Sequence, residues 1–142
     1  MEVVGCRRGP ATASDAALGV RVVAPAALPT ELARADHVVL LLPGGEATAG
    51  FLDGEGLAAV KRGAWLYNFG RGTTIREADL LLALDEGILA GAGLDVTEIE
   101  PLPTDSKLWS HPGVFVMPHS SCVYDEYRAL HVAELLSRWS ES

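Results

Sequence analysis

The chain has 142 residues, of which 49% are hydrophobic and 21% charged, values typical of one globular domain with a substantial core. Its formal net charge of -8 argues against a surface for nucleic acid or anionic membranes, because both need clustered positive charge. Two cysteines without metal-ligand spacing argue against a disulfide framework and favour a reducing, cytoplasmic setting, and no apolar run is long enough to cross a bilayer.

Short apolar segments alternate with helical segments along the chain. Strands are predicted over residues 2–6, 20–23, 37–42, 64–68, 88–94 and 114–117. Helices are predicted from Pro29, with Thr30 as N-cap, over about 54–61, over 76–86 with Gly87 at its end, and over 124–139. Continuous apolar strands separated by helices predict an α/β fold with a parallel, doubly wound sheet.

Arg71, Glu100 and His119 each follow one of these apolar strands. In an open parallel sheet, ligands bind at the carboxyl ends of the strands, so the three side chains are expected to converge. A guanidinium matches a carboxylate, and an imidazole beside a carboxylate can exchange a proton. Glu98 competes with Glu100 for the imidazole, because strand periodicity does not separate residues two apart.

Other chemistries have weaker support in the sequence. The four histidines lack the spacing of metal ligands, so no metal site is predicted. Cys122 follows His119 closely, but nothing marks an oxyanion hole for a thiol nucleophile. Ser120 and Ser121 do not belong to a Gly-x-Ser-x-Gly elbow, which argues against a hydrolase triad.

Three motifs occur in a characteristic order: Asn68–Gly72 (Asn-Phe-Gly-Arg-Gly), residues 93–103 (Gly-Leu-Asp through Glu-Pro-Leu-Pro), and residues 117–121 (Met-Pro-His-Ser-Ser). Together they resemble the D-isomer-specific 2-hydroxyacid dehydrogenases, including the glyoxylate/hydroxypyruvate reductases, over about residues 1–119. The resemblance implies that Arg71 anchors the carboxylate of a small 2-keto or 2-hydroxy acid and that His119 is the acid and base. Its Glu-Pro dipeptide implies that Glu100, rather than Glu98, orients His119.

The resemblance also implies a nicotinamide dinucleotide and a homodimer. Asp95 would lie near the nicotinamide carboxamide or ribose, although capping of the following turn explains it nearly as well. In NAD-specific members of the family, an acidic residue would follow the strand over residues 2–6. Arg7 and Arg8 stand there instead, so NADP(H) is the preferred cofactor and NAD(H) the alternative. The full set implied to border the cofactor is Arg7, Arg8, Pro43, Phe69, Gly70, Arg71, Asp95, His119 and Ser121, with Ser120 beside them.

The chain lacks the glycine-rich turn, Gly-x-Gly-x-x-Gly, that follows the first strand of a dinucleotide fold. We therefore expect a Rossmann-like sheet without its first strand and loop, leaving two strands with unpaired facing edges. Residues 1–122 would form a partial NAD(P)-binding domain, and residues 123–142 a helix returning toward a substrate domain. The predicted function is NAD(P)H-dependent reduction of glyoxylate or hydroxypyruvate; the alternative is a catalytically incompetent nucleotide-binding or dimerisation fragment.

Overall fold

The computed structural model describes residues 1–121, so the helix predicted over 124–139 and the residue Cys122 lie outside them. Within this part of the chain the strands are β1 Val3–Cys6, β2 Val20–Val23, β3 His37–Leu40, β4 Ala64–Asn68, β5 Leu89–Leu94 and β6 Val114–Val116. The helices are α1 Ala13–Ala17, α2 Leu28–Leu32, α3 Gly54–Ala58 and α4 Glu77–Asp85, and 3-10 turns lie at Pro25–Ala27, Gly72–Thr74 and Lys107–Trp109.

The strands form two parallel sheets, which confirms the predicted α/β architecture. β1 pairs with β2, and β3, β4, β5 and β6 follow one another in a second, four-stranded sheet. Each crossover in the larger sheet leads to the adjacent strand, so the carboxyl ends of β3 to β6 share one edge. That edge carries the residues with predicted chemistry.

β1 and β3 have no hydrogen-bonded strand between them within residues 1–121. A largely apolar cavity of about 710 Å³ is lined by both strands and by α2. The predicted gap in the sheet therefore lies at the position expected for a first Rossmann strand, with one open edge on each side.

One face of the larger sheet forms the core. Every second residue of β3 is buried, and β4 follows the same alternation, because successive side chains of a strand point to opposite faces. α3 and α4 cover this face with buried leucines. The leucines of the core are Leu32, Leu40, Leu52, Leu57, Leu66, Leu80, Leu84, Leu89, Leu94 and Leu108.

The opposite face carries a row of aromatic side chains on β4 and the residue after it. Trp65 stacks on Tyr67 with ring centroids 6.5 Å apart, and Tyr67 stacks on Phe69 at 6.4 Å. Trp65 remains 41% exposed, so this row lies at the surface of the described residues.

The helices differ from the predictions at α1, at α2 and at the end of α3, which was predicted to extend to about Lys61 but ends at Ala58. α1 was not predicted, because none of its five residues is buried and it has no apolar periodicity; a capping box between Thr12 and Asp15 starts it instead. Thr30 was wrongly predicted as an N-cap. α2 begins at Leu28, directly after the Pro25–Ala27 turn, and Thr30 lies inside the helix.

Candidate active site at the carboxyl edge of the sheet

Three neighbouring strands bring the predicted residues to one edge of the larger sheet. Arg71 follows β4, Asp95 and Glu100 follow β5, and His119 follows β6. Because these three strands are parallel and adjacent, the loops after them meet at the same edge. The convergence of the three loops is thus a direct consequence of strand order.

The turn that carries Arg71 lies pressed between two other loops. A Cβ atom on Gly70 would lie 2.5 Å from the carbonyl oxygen of Leu42, and one on Gly72 would overlap the carbonyl group of Thr97. Only glycine lets the backbone come this close on both sides of Arg71. The Arg71 side chain itself is exposed, and its Nη1 donates to the Gly70 carbonyl at 2.8 Å.

His119 and Glu100 form a direct contact, as predicted for this pair. The distance between His119 Nδ1 and Glu100 Oε2 is 2.8 Å, and the main-chain N–H of Thr97 donates to Glu100 Oε1 at 3.1 Å. Both carboxylate oxygens are therefore engaged, which fixes the orientation of the carboxylate. With Nδ1 held by Glu100, Nε2 is the imidazole nitrogen left to exchange a proton with another group.

The charges around Glu100 favour its ionised form. Partial burial raises the pKa of the Glu100 carboxyl, but the hydrogen bonds from His119 and Thr97 and the positive charges of His119 and Arg71 outweigh it. The pKa of Glu100 consequently lies below its ordinary value. The positive charge of Arg71 contributes to this lowering, so its guanidinium lies close enough to act on the Glu100–His119 pair.

Glu98, the competing carboxylate, is committed elsewhere. Its Oε2 accepts from the Glu77 main-chain N–H at 2.8 Å, and its own N–H donates to Glu77 Oε1 at 2.8 Å. These reciprocal bonds tie the loop after β5 to the start of α4. Glu98 therefore serves loop structure, and the choice of Glu100 agrees with the geometry.

Asp95 is 1% exposed and holds the loop that follows β6. Its Oδ1 accepts from the Ser120 N–H at 2.8 Å, and its Oδ2 accepts from the Ser121 N–H at 3.0 Å and from the Ser121 hydroxyl. Burial raises the pKa of Asp95, but these three hydrogen bonds and the nearby His119 lower it by more than burial raises it. The pKa of Asp95 therefore lies below its ordinary value. Asp95 therefore holds the loop after β6 and not the turn that directly follows it, which was the capping alternative.

His119 itself has an unusual backbone conformation. Its φ of 52° lies in the left-handed region, which is uncommon for a residue other than glycine. The Asp95 bonds to the two following residues fix the chain directly after this position. Strain of this kind is found at functional sites when the surroundings hold it in place.

Several main-chain groups predicted to border a cofactor are already bonded within the protein. The Phe69 N–H donates to the Leu40 carbonyl at 3.0 Å, and the Gly70 N–H donates to Asn68 Oδ1 at 3.1 Å. The Pro43 carbonyl accepts from the Thr48 hydroxyl at 2.6 Å. These residues can still contribute surface to a bound molecule, but these particular groups are not free donors or acceptors.

Arg7 and Arg8 differ in their surroundings. Arg7 Nη1 donates to Asp15 Oδ1 at 3.0 Å and its Nη2 donates to the Pro10 carbonyl at 2.7 Å. Arg8 is exposed, and within residues 1–121 its guanidinium makes no side-chain hydrogen bond. Of the two arginines, Arg8 is the one more available to a phosphate group.

Three polar residues at this edge were not predicted to matter: Asn68, Thr74 and Thr97. Asn68 and Thr74 are fully buried and bond to the Arg71 turn, and Thr97 bonds to Glu100. A buried asparagine inside the apolar β4 pattern was the available signal, since an unpaired polar group is costly there.

The resemblance implies that a nicotinamide lies at this edge, where the glycines at 44 and 70 allow the loops after β3 and β4 to touch; a Cβ on Gly44 would lie 3.2 Å from Arg71 Cγ. Within residues 1–121, no glycine-rich turn runs directly from a strand into a helix N-terminus to hold the pyrophosphate. No cluster of three metal-ligating side chains occurs among these residues, and none of their helices is long and apolar enough to span a membrane.

Comparison with solved structures agrees with this fold. A D-isomer-specific 2-hydroxyacid dehydrogenase from Xanthobacter autotrophicus Py2, solved with NADPH and MES, is 41% identical with a TM-score of 0.77, covering 84% of this chain and 37% of that one. An NADPH-dependent glyoxylate/hydroxypyruvate reductase from Sinorhizobium meliloti, solved with NADP and sulfate, is 35% identical with a TM-score of 0.79, covering 99% and 45%.

Curated sequences give the same grouping. A glyoxylate/hydroxypyruvate reductase A from Salmonella paratyphi B is 46% identical over 86 residues, which are 61% of this chain. The matched segment makes up 28% of that relative's length, so the chain corresponds to a minor part of it. The family model for the NAD-binding domain of D-isomer-specific 2-hydroxyacid dehydrogenases matches residues 1–121, and the chain therefore belongs to that family.

Proposed function

We propose that the protein is an oxidoreductase that uses NAD(P)H to reduce a small 2-keto acid such as glyoxylate or hydroxypyruvate. The observation that carries this proposal is the 2.8 Å contact between His119 Nδ1 and Glu100, with the Arg71 charge beside it. The glyoxylate/hydroxypyruvate reductases among the relatives support the choice of substrate.

Arg71 anchors the substrate in this proposal. Its exposed guanidinium presents a planar set of donors that matches a carboxylate and the adjacent keto oxygen. The glycines on both sides of Arg71 let its turn pack closely between the loops after β3 and β5. Holding the substrate in one orientation lowers the entropic cost of reaction.

His119 moves the proton. Glu100 holds Nδ1, so Nε2 donates a proton to the keto oxygen during reduction and accepts one from the hydroxyl during oxidation. A reduced nicotinamide, when bound, supplies the hydride. The ionised form of Glu100 is favoured by its surroundings, which suits it to stabilise the protonated imidazole.

NADP(H) is the proposed cofactor, with NAD(H) as the alternative. Arg8 is available for a 2′-phosphate beyond β1, and relatives solved with NADPH or NADP support this preference. We further propose a homodimer and a reducing, cytoplasmic setting, the latter because two cysteines do not make a disulfide framework.

The second candidate is a nucleotide-binding or dimerisation fragment without catalysis. It is favoured by the gap between β1 and β3 and by the missing pyrophosphate turn within residues 1–121. This candidate predicts the same site geometry but no turnover by the chain alone.

The test is NADPH oxidation with glyoxylate and with hydroxypyruvate, comparing the full chain with His119→Ala. Loss of the proton donor should lower kcat by about 10² to 10⁴-fold. His37→Ala is the matched control, since His37 is an exposed histidine on β3 that contacts Tyr67 and not the site. Equal background rates in the parent chain and His119→Ala would contradict catalysis and favour the fragment.

A further inference from the structure

The side chain of Asn68 is completely buried at the end of β4, among apolar neighbours. A leucine would fill such a position without any need for hydrogen bonds, so a buried amide requires a reason. Its bonding pattern supplies one, because each partner of its side chain lies in the turn that presents Arg71.

The Asn68 side-chain amide forms hydrogen bonds with this turn on its buried side. Its Oδ1 accepts from the Gly70 N–H at 3.1 Å, and its Nδ2 donates to the Arg71 carbonyl at 3.1 Å and to Thr74 Oγ1 at 3.3 Å. One rigid side chain thus contacts the backbone on both sides of the Arg71 Cα atom.

Thr74 completes the arrangement. Its hydroxyl donates to the Arg71 carbonyl at 2.7 Å, and its main-chain N–H donates to the same oxygen at 3.1 Å. The Arg71 carbonyl therefore receives three donors, two from Thr74 and one from Asn68. The peptide plane after Arg71 is fixed as a result, and with it the direction in which the side chain leaves the backbone.

Asn68 also joins the two halves of the site. Its own carbonyl accepts from the Asp95 N–H at 3.0 Å. Asp95 in turn holds Ser120 and Ser121, next to His119. A continuous set of hydrogen bonds therefore runs from the Arg71 turn to the His119 loop. It passes through the buried residues Asn68 and Asp95, whose bond to each other is between main-chain groups.

We propose that Asn68, supported by Thr74, is a positioning residue that aims Arg71 at the carboxylate of the substrate. The assignment rests on the proposed function for the role of Arg71. Asn68 does not touch substrate; it acts through the main chain of Arg71. The long arginine side chain has many rotamers, so fixing its origin reduces the conformations in which it misses the carboxylate.

Two substitutions test this without relying on one buried change. Asn68→Asp keeps the acceptor for Gly70 but removes both donors and turns an oxygen toward the Arg71 carbonyl. Thr74→Val keeps the shape of Thr74 and removes its hydroxyl donor, and Thr74→Ser restores that donor. Leu80→Ala is the matched control for general destabilisation, because Leu80 is a buried core residue of α4 outside the Arg71 turn.

The first measurement is a titration of the full chain with oxalate, in which the NMR signal of the Arg71 Nε–H group reports binding. We expect the dissociation constant to rise about tenfold or more in Asn68→Asp and Thr74→Val, and to stay unchanged in Thr74→Ser and Leu80→Ala. In the activity assay, KM for glyoxylate should rise while kcat and its pH profile change little. Unchanged oxalate binding in both test variants would overturn the proposal.

The second measurement needs no ligand and separates this inference from the proposed function. In Asn68→Asp the Gly70 N–H keeps its acceptor, so hydrogen exchange should accelerate at Thr74 and the Arg71 carbonyl carbon should shift, while Leu80→Ala leaves that carbon unshifted. If the parent chain fails to bind oxalate, the role of Arg71 as anchor fails, and this measurement alone decides whether Asn68 positions it. An unchanged Arg71 carbonyl in the test variants would overturn the positioning role.

Discussion

At the carboxyl edge of the larger sheet, the buried polar residues hold backbone, whereas the exposed polar residues of the predicted site are open to a ligand. Asp95 and Asn68 are at most 1% exposed and bond to the chain of neighbouring loops. Arg71, Glu100 and His119 are exposed at the same edge. This division follows from solvation, since a buried amide or carboxylate must find internal partners while an exposed one can await a ligand.

Asp95→Asn should destabilise the protein by about 1–3 kcal/mol at neutral pH, because an amide replaces a carboxylate that accepts three hydrogen bonds. The pKa of Asp95 is lower in the folded protein than its ordinary value of 3.8. Its contribution is therefore fully present above about pH 4 and is lost as the pH falls through the folded pKa. The stabilities of the parent and the variant should therefore approach each other as the pH falls through that folded pKa.

Urea denaturation at a series of pH values measures this convergence. Asp105→Asn is the control, because Asp105 is exposed in the loop before Lys107–Trp109. A difference between parent and Asp95→Asn that stays constant down to pH 2 would show that the carboxylate charge contributes nothing.

The sequence could predict the outward-facing residues of the site but not all of their supports. Arg71, Glu100 and His119 follow apolar strands, and parallel order brings such positions together. The partners of Asp95 lie 25 and 26 residues further along, and nothing local connects them. Long-range hydrogen bonds of this kind depend on loop paths, which sequence periodicity does not encode.

At the scale of elements, the pattern of apolar residues predicts the bounds and the buried face well where only one face of the element is apolar. β4 alternates clearly, and its predicted bounds are those observed. α4 was harder, because leucines at 80, 81, 82 and 84 surround the helix; the structure buries Leu80, Ala83 and Leu84 and leaves Leu82 56% exposed. Packing against the sheet, rather than the pattern, selects the buried face.

Gly72→Ala tests the close contact between the turn after β4 and the loop after β5. A methyl group at this position overlaps the Thr97 carbonyl, so the loops must separate, at a cost of about 1–3 kcal/mol. Gly54→Ala, at the start of α3, is the control. Its new methyl group makes only ordinary contacts with Asp79 of α4, so the change should be neutral or slightly stabilising. Denaturation midpoints of the two variants measure the difference; equal midpoints would contradict the overlap.

At the scale of the whole molecule, β1 and β3 face each other across a largely apolar cavity of about 710 Å³, which leaves a gap with no strand in it among the described residues. The sequence predicted this gap because a missing glycine-rich turn is visible by inspection, whereas the shape of the cavity is not.

Replacing Arg7 and Arg8 with a single acidic residue, as Arg7→Gly combined with Arg8→Asp, should reverse the preference for NADP(H) over NAD(H). A carboxylate repels the 2′-phosphate and binds ribose hydroxyls, and a shift of about tenfold or more is expected. Cofactor titrations measured by fluorescence give both dissociation constants. Arg34→Asp, a charge reversal at an exposed position after α2, is the control. Unchanged discrimination in the double variant would remove the role of these arginines.

The division into two sheets separates two properties that a dehydrogenase must combine. The arginines proposed to set cofactor preference follow β1, whereas the proposed carboxylate anchor and acid–base pair follow β4, β5 and β6. Within the described residues no ladder hydrogen bond joins the sheets, although Arg21 on β2 pairs with Glu31 on α2 at 2.8 Å. We expect a recombination point between Val23 and Pro25 to transfer the proposed cofactor preference between family members, provided that both parents carry the Arg21–Glu31 pair, which this point divides. Substrate chemistry would then be inherited unchanged from the remaining block.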